Sequence, residues 1–158
     1  MNNIEFTKSE DLVVKEDFLF VDIKVVYSEK ELLTELNEKL AFPDYFGFNW
    51  DALWDLYCDF YWISQTNIII RHQGITALPE DDLFIYIGIV VDTCKSWREY
   101  PEHNISFFFP TSEKDTILRL KKKYELSPKG KIIEKELYER KLRGLFGSPA
   151  KPCVEKLV

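Results

Sequence analysis

The stretch FPDYFGFNWDALWDLYCDF, residues 42–60, combines aromatic and acidic side chains more densely than any other part of the chain, and it holds no Lys or Arg. Asn49 is a favourable N-cap residue, and no Gly or Pro follows it within the stretch. This pattern predicts a helix over about residues 50–60. Pro43 and Gly47 mark the loop that leads into the helix.

The predicted helix has an apolar face and a row of acids. The apolar positions follow the three- and four-residue spacing of a buried face: Ala52, Leu53, Leu56 and Phe60. Asp51, Asp55 and Asp59 recur every four residues, where like charges cost about 0.2–0.5 kcal/mol per pair. A solvated acidic face is the plainer interpretation. Because folding gains little from the row, the alternative is a surface for a cationic partner.

Aromatic residues surround these acids and favour the second interpretation. Five of them crowd the loop and the first turns, too many for one core: Tyr45, Phe46, Phe48, Trp50 and Trp54. Exposed aromatics among acids are typical of protein-binding surfaces, where aromatic residues anchor the partner and charge steers the encounter. The stretch therefore predicts a binding surface for a basic protein.

Residues 43–55, PDYFGFNWDALWD, resemble the inhibitory loop and helix of the barstar family, intracellular protein inhibitors of ribonucleases such as barnase. The shared pattern is Pro, acid, Tyr, aromatic, Gly, any residue, Asn, any residue and then Asp-Ala-Leu-Trp-Asp. The resemblance implies an α/β fold with a small three-stranded parallel sheet packed with helices. It also implies an immunity protein or antitoxin that binds a toxin ribonuclease and occludes its active site.

The resemblance implies partner-binding roles for single residues. Asp55 matches the acid that sits in the phosphate site of the ribonuclease, and Asp51 matches a second interface acid one turn earlier. Tyr45 matches the loop aromatic that covers the rim of the substrate site. Trp54 matches a tryptophan that flanks the interface.

The remaining predicted partner-binding residues are Gly47, Asn49 and Asp59. Gly47 and Asn49 match residues that shape the loop, and helix capping is an equally good role for Asn49. Asp59 stands where the family prototype has a glycine, whereas Phe48 and Trp50 replace an acid and an aliphatic residue. These departures make the surface more aromatic and move its charge, so we expect a partner other than barnase itself.

Strand and helix patterns alternate along the chain. Strands are predicted over residues 18–23, 67–71 and 105–109, and helices over 28–40, which begins with the capping-box pair Ser28 and Glu31, and about 79–100. Alternating strands and helices predict a parallel sheet with helices packed on it. We divide the chain into a barstar-like domain, residues 18–110, and a C-terminal extension, residues 111–158.

Charge distinguishes the two parts. Residues 1–110 hold 20 acidic against 8 basic residues, and residues 111–158 hold 7 against 13. The acidic body argues against direct nucleic-acid binding, since phosphate contacts need Lys and Arg. Two short helices are predicted in the basic extension, from Ile117 to Tyr124 and from Ile132 to Leu142. The extension could fold against the body, widen the partner interface or touch nucleic acid, and the sequence leaves these alternatives open.

The sequence gives little support to an enzymatic function. His72 and His103 are accompanied by no nucleophile motif or phosphate-binding glycine loop, so we expect no catalytic residues and no cofactor. The best enzyme alternative is a metal-dependent hydrolase that uses Asp51, Asp55 and Asp59, but a straight row spreads their oxygens along the helix. We therefore expect no metal site.

The polar N-terminus and the lack of a long apolar run predict a cytoplasmic protein with no membrane partner.

The alternative to a nuclease inhibitor is a barstar-related interaction or regulatory module that binds a basic partner without inhibiting a nuclease. An adjacent toxin gene would favour immunity over this alternative.

Overall fold

The centre of the fold is a parallel sheet. The computed structural model describes residues 3–8, 12–98, 100, 102–130 and 139. The strands are β1 Asn3–Thr7, β2 Leu19–Ile23, β3 Asn67–His72 and β4 Asn104–Pro110, in the order β1-β4-β3-β2, and all pairs are parallel. The helices are α1 Glu29–Leu40, α2 Trp50–Tyr57, α3 Glu80–Arg98 and α4 Lys114–Glu125, with a 3-10 turn, Thr111–Glu113, before α4. The predicted α/β class is confirmed.

The sheet has four strands, one more than expected. The additional strand, β1, pairs with β4 in the register Ile4 to Phe107 and Phe6 to Phe109. It lies at the edge of the sheet, and every residue of β1 is only partly buried. A five-residue edge strand with just two apolar side chains, Ile4 and Phe6, gives a weak periodic signal, which is why the sequence did not reveal it.

The first helix begins as its capping signal predicts. The Oγ atom of Ser28 accepts a hydrogen bond from the backbone N–H of Glu31 at 3.2 Å. The Glu31 carboxylate reaches back to the N–H of Tyr27 at 2.9 Å, one residue before the N-cap. Both bonds satisfy backbone donors at the start of α1 and fix the entry of the chain from β2. The predicted apolar side is buried: Leu32, Leu33, Leu36 and Leu40.

Both histidines are structural parts of the core. The Nε2 atom of His72 lies 2.7 Å from the Tyr86 hydroxyl, and its Nδ1 atom lies 3.1 Å from the carbonyl oxygen of Phe108. Burial lowers the pKa of His72 to about 4, so its ring is neutral at neutral pH. His103 is also buried, with its Nδ1 atom 2.9 Å from the carbonyl oxygen of Gln65.

The C-terminal extension begins with α4, which packs against α3. Ile117, Leu120 and Tyr124 are buried there, whereas Leu118 is 40% exposed. The second predicted helix, residues 132–142, lies outside the described residues apart from Glu139. The division at residue 110 stays a prediction. Within the described part of the chain, no helix combines the length and the apolar character needed to cross a membrane.

Candidate protein-binding site

Two buried phenylalanines anchor the loop before α2. Phe42 and Phe46 are both buried, and their ring centroids lie 4.8 Å apart in an edge-to-face arrangement. The Trp62 ring, 5.8 Å from Phe42, closes the cluster, and its indole N–H donates to the carbonyl oxygen of Leu40 at 2.9 Å. Because the chain is anchored on both sides of it, Tyr45 lies on the surface and is 67% exposed.

Asn49 shapes the loop and also caps the helix. Its Oδ1 atom accepts from the N–H of Ala52 at 2.8 Å, and its Nδ2 atom donates to the carbonyl oxygen of Gly47 at 3.2 Å. Phe48, between them, has a φ of 49°, a left-handed conformation that costs a non-glycine residue about 1 kcal/mol or more. The side chain of Phe48 is half exposed. The Asn49 side chain therefore both shapes the loop and caps the helix.

The inner face of α2 ties the helix to the core. Leu53, Leu56 and Tyr57 are buried. The Tyr57 hydroxyl lies 3.0 Å from the hydroxyl of Tyr86 on α3, and the indole N–H of Trp97 donates to the carbonyl oxygen of Tyr57 at 2.8 Å. These contacts hold α2 as a rigid support for the side chains on its outer face.

The helix ends at Tyr57, three residues earlier than predicted. The N–H of Asp59 bonds to the carbonyl oxygen of Leu56 at 3.1 Å, which tightens the last turn. Phe60 then takes a φ of 44° so that its fully buried ring can enter the core beside Trp97. Burial of Phe60 therefore overrides local helix propensity. The predicted helical row is shortened to Asp51 and Asp55, and Asp59 lies in the turn that follows.

Tyr45 is brought close to two of the predicted acids and to Tyr61. Its hydroxyl donates to the Tyr61 hydroxyl at 3.5 Å. This hydrogen bond is the main cause that raises the pKa of Tyr45 to about 12, with smaller contributions from burial and from the charges of Asp59 and Asp55. The charges of Asp55 and Asp59 therefore lie close enough to the Tyr45 hydroxyl to raise its pKa. Tyr61 is exposed beside Tyr45 and was not among the predicted residues.

The Tyr45–Tyr61 contact can be tested by titration. Replacing Tyr61 by phenylalanine removes the acceptor hydroxyl, so the pKa of Tyr45 should fall from about 12 toward the ordinary value of 10.0. Titration of the Tyr45 Cζ resonance by carbon NMR measures this change. Tyr27→Phe removes another exposed tyrosine and should leave the pKa of Tyr45 where it is. An unchanged pKa in Tyr61→Phe would refute the contact.

A buried acid on α3 supports Trp54. Asp92 is only 1% exposed, and its Oδ2 atom accepts from the indole N–H of Trp54 at 3.1 Å and from the Tyr124 hydroxyl at 2.7 Å. Sequence reasoning missed Asp92. The available signal was an acid within the apolar run IYIGIVVDTC, residues 85–94.

Burial raises the pKa of Asp92 to about 6, against the hydrogen bonds from Tyr124 and Trp54 and the charges of Lys129 and Lys95, which lower it. Well below pH 3.8, its ordinary pKa, the carboxyl group is protonated in both the folded and the unfolded chain. As the pH rises from about 4 to about 6 the unfolded chain loses the proton first, so the free energy of unfolding should fall by about 3 kcal/mol.

Urea unfolding of the wild type and of Asp92→Asn, at pH 4 and at pH 7, tests this sign. As the pH rises, the free energy of unfolding of Asp92→Asn should increase relative to that of the wild type. His72 titrates in the same range with the opposite effect, but it is present in both proteins and cancels from the difference. If the difference in free energy of unfolding between Asp92→Asn and the wild type stays constant with pH, the pKa of Asp92 is not raised.

A metal centre gains no support from these positions. Within residues 3–8, 12–98, 100, 102–130 and 139, no three His, Cys, Asp or Glu side chains come together in a group that could hold a metal ion. Asp51 is exposed near the start of α2, whereas Asp59 lies beyond its end.

Comparison with known proteins identifies a family. A family model described as Barstar (barnase inhibitor) matches residues 16–109, which include β2, β3, all of β4 but its last residue, and the predicted partner-binding residues. No curated protein and no solved structure matches the chain. The matched range ends before α4, so the family model says nothing about the extension.

Proposed function

The chain belongs to the barstar family, whose members are inhibitor proteins and not enzymes, and from this premise we propose that it is a cytoplasmic immunity protein or antitoxin. In this proposal it binds a toxin ribonuclease and covers the active site of that enzyme. The observation that supports the proposal is that exposed Tyr45 lies near the charges of Asp55 and Asp59, within the stretch that resembles the inhibitory segment of the family.

Charge makes a ribonuclease a suitable partner. A ribonuclease cleft is basic because it must hold phosphate and stabilise the negative charge that develops during cleavage. Carboxylates of the inhibitor can occupy the phosphate positions and form charge-assisted hydrogen bonds with Arg, Lys and His of the enzyme. In this assignment Asp55 enters the phosphate site and Asp51 pairs with a cation one turn away. Nothing is cleaved, because the inhibitor presents no phosphodiester.

The aromatic residues supply the contact area. Tyr45 and Phe48 are exposed in the loop before α2, and Tyr61 is exposed beside Tyr45. Exposed aromatics anchor interfaces at a low cost in side-chain entropy. Phe48 is held in place by its backbone between Gly47 and the Asn49 cap. We assign these rings to the rim of the substrate cleft, where they would exclude RNA.

Rigidity of the support adds to the affinity. The Asn49 cap, the Tyr57–Tyr86 hydrogen bond and the Trp97 hydrogen bond fix α2 before any partner arrives. A surface that is already ordered loses less conformational entropy on binding. The same contacts keep Asp51 and Asp55 at a fixed spacing of one helical turn.

The test uses co-expression and RNA cleavage. The chain is co-expressed with the product of an adjacent ribonuclease-toxin gene, and barnase serves as a second probe. Pull-down measures binding, and cleavage of a fluorogenic RNA measures inhibition. Suppression of cleavage at equimolar inhibitor supports the proposal. Stable binding with RNA still cleaved would favour the regulatory module, and cleavage of RNA by both enzymes with no binding would overturn the proposal.

A further inference from the structure

Asp92 joins three helices through one carboxylate oxygen. The side chain lies on α3, and its Oδ2 atom accepts from Trp54 on α2 and from Tyr124 on α4. Tyr124 is buried, and both burial and the nearby Asp92 charge raise its pKa, so its hydroxyl keeps its proton and donates. Trp54 is only partly buried and belongs to the predicted partner-binding surface. A hydrogen-bonded path therefore runs from the C-terminal helix to that surface.

Gly88 explains how Tyr124 reaches Asp92. A Cβ atom added at Gly88 would lie 2.6 Å from Cε2 of the Tyr124 ring, well inside van der Waals contact. The ring therefore rests directly on the backbone of α3, one turn before Asp92. Phe84, one turn earlier still, meets the same ring edge-on at a centroid distance of 6.0 Å. These contacts fix the position of the Tyr124 hydroxyl independently of its hydrogen bond.

From this arrangement we infer that Asp92 and Tyr124 are positioning residues for the partner-binding surface, and that α4 sets the orientation of the Trp54 indole. The claim about partner affinity rests on the proposed function, whereas the orientation of Trp54 does not. An indole N–H can only donate, and a buried one needs an acceptor. Asp92 is that acceptor, and the second bond from Tyr124 restricts the rotation of its carboxylate. This support comes from α4, which lies outside the matched residues 16–109.

The Trp54 indole resonance in nitrogen–proton NMR, assigned with Trp54→Phe, reports on this contact. Asp92→Leu removes the acceptor and should shift the resonance and speed its hydrogen exchange about tenfold, the effect of losing one hydrogen bond to a charged group. Tyr124→Phe leaves the acceptor in place but frees its rotation, so it should shift the resonance and speed the exchange by a smaller factor. Asp92→Asn keeps an oxygen that can accept both bonds and should restore most of the protection. Gly88→Ala pushes the Tyr124 ring outward without removing any polar group, and it should act like Tyr124→Phe.

Two other tryptophans are internal controls. The indole N–H of Trp62 donates to Leu40 and that of Trp97 donates to Tyr57, both to backbone carbonyl oxygens. Their resonances and exchange rates should stay unchanged in Tyr124→Phe and Gly88→Ala. Equal acceleration at all three indoles would show general loosening and would overturn the inference. An unmoved Trp54 resonance in Tyr124→Phe would overturn it as well.

Affinity gives a second measurement with the full-length chain. In titration calorimetry with the ribonuclease that the wild type inhibits, Tyr124→Phe should bind about three- to tenfold more weakly, a size typical of coupling through direct neighbours. Unchanged affinity together with a shifted indole would overturn the claimed effect on the partner. If the wild type inhibits no ribonuclease, the proposed function fails, and the indole measurement still decides whether α4 positions Trp54.

Discussion

Replacing Asp55 by alanine should weaken ribonuclease binding by about 2 kcal/mol or more, the size that defines a hot spot at a protein interface. Asp55 is half-buried on a capped, well-anchored α2, one turn after Asp51, so its backbone position is fixed. In the proposed complex its removal would leave a cation of the enzyme buried without a counter-charge. Calorimetric titration gives the affinity, and cleavage of a fluorogenic RNA gives the inhibition.

The matched control for this change is Asp115→Ala. Asp115 is an exposed acid in the first turn of α4, outside the candidate surface, so the two variants lose the same charge. Asp115→Ala should change the affinity by well under 1 kcal/mol, through long-range attraction alone. Thermal unfolding should show that both variants stay folded. Equal affinities for Asp55→Ala and the wild type would mean that α2 is not the inhibitory element.

Local signals in the sequence predict the loop and the start of α2 well. Asn49 is an N-cap because its side chain can accept from the N–H of Ala52, the third residue of the helix, which needs only neighbouring residues. The same holds for Ser28 and Glu31 at the start of α1. Buried strands such as β3, with three consecutive isoleucines, are equally visible. These features follow from chemistry within a few positions of the chain.

Features that depend on distant residues could not be predicted. The helix α2 stops at Tyr57 because Phe60 packs beside Trp97, which is 37 positions later in the chain. Asp92 has its role because Tyr124 comes from an element beyond the family's matched range. The strand β1 forms because β4 provides its partner. In each case the deciding contact joins residues that are far apart in the chain, so neither local propensity nor the spacing of apolar residues can predict it.

The second large effect concerns the C-terminal helix. Leu120→Ala should lower the free energy of unfolding by about 2–5 kcal/mol, because Leu120 is fully buried and its removal leaves a cavity between α4 and the core. Leu118→Ala is the matched control: it changes the same residue type two positions earlier, where the side chain is 40% exposed, and should cost about 0.5 kcal/mol or less. Urea unfolding followed by circular dichroism measures both. Equal, small losses would show that α4 contributes little.

Removal of residues 111–158 extends the same argument to the whole element. The truncation removes the buried side chains of Ile117, Leu120 and Tyr124 and exposes the core surface on which they pack. Each such side chain contributes about 1.5–3 kcal/mol to the free energy of unfolding. Their sum is comparable to the total stability of a small domain, about 5–15 kcal/mol. The truncated chain should therefore lose its cooperative melt, whereas the full-length chain, which keeps all three side chains, should retain it. A cooperative melt after truncation at residue 110 would instead make the extension an appendage, with the acidic body folding alone.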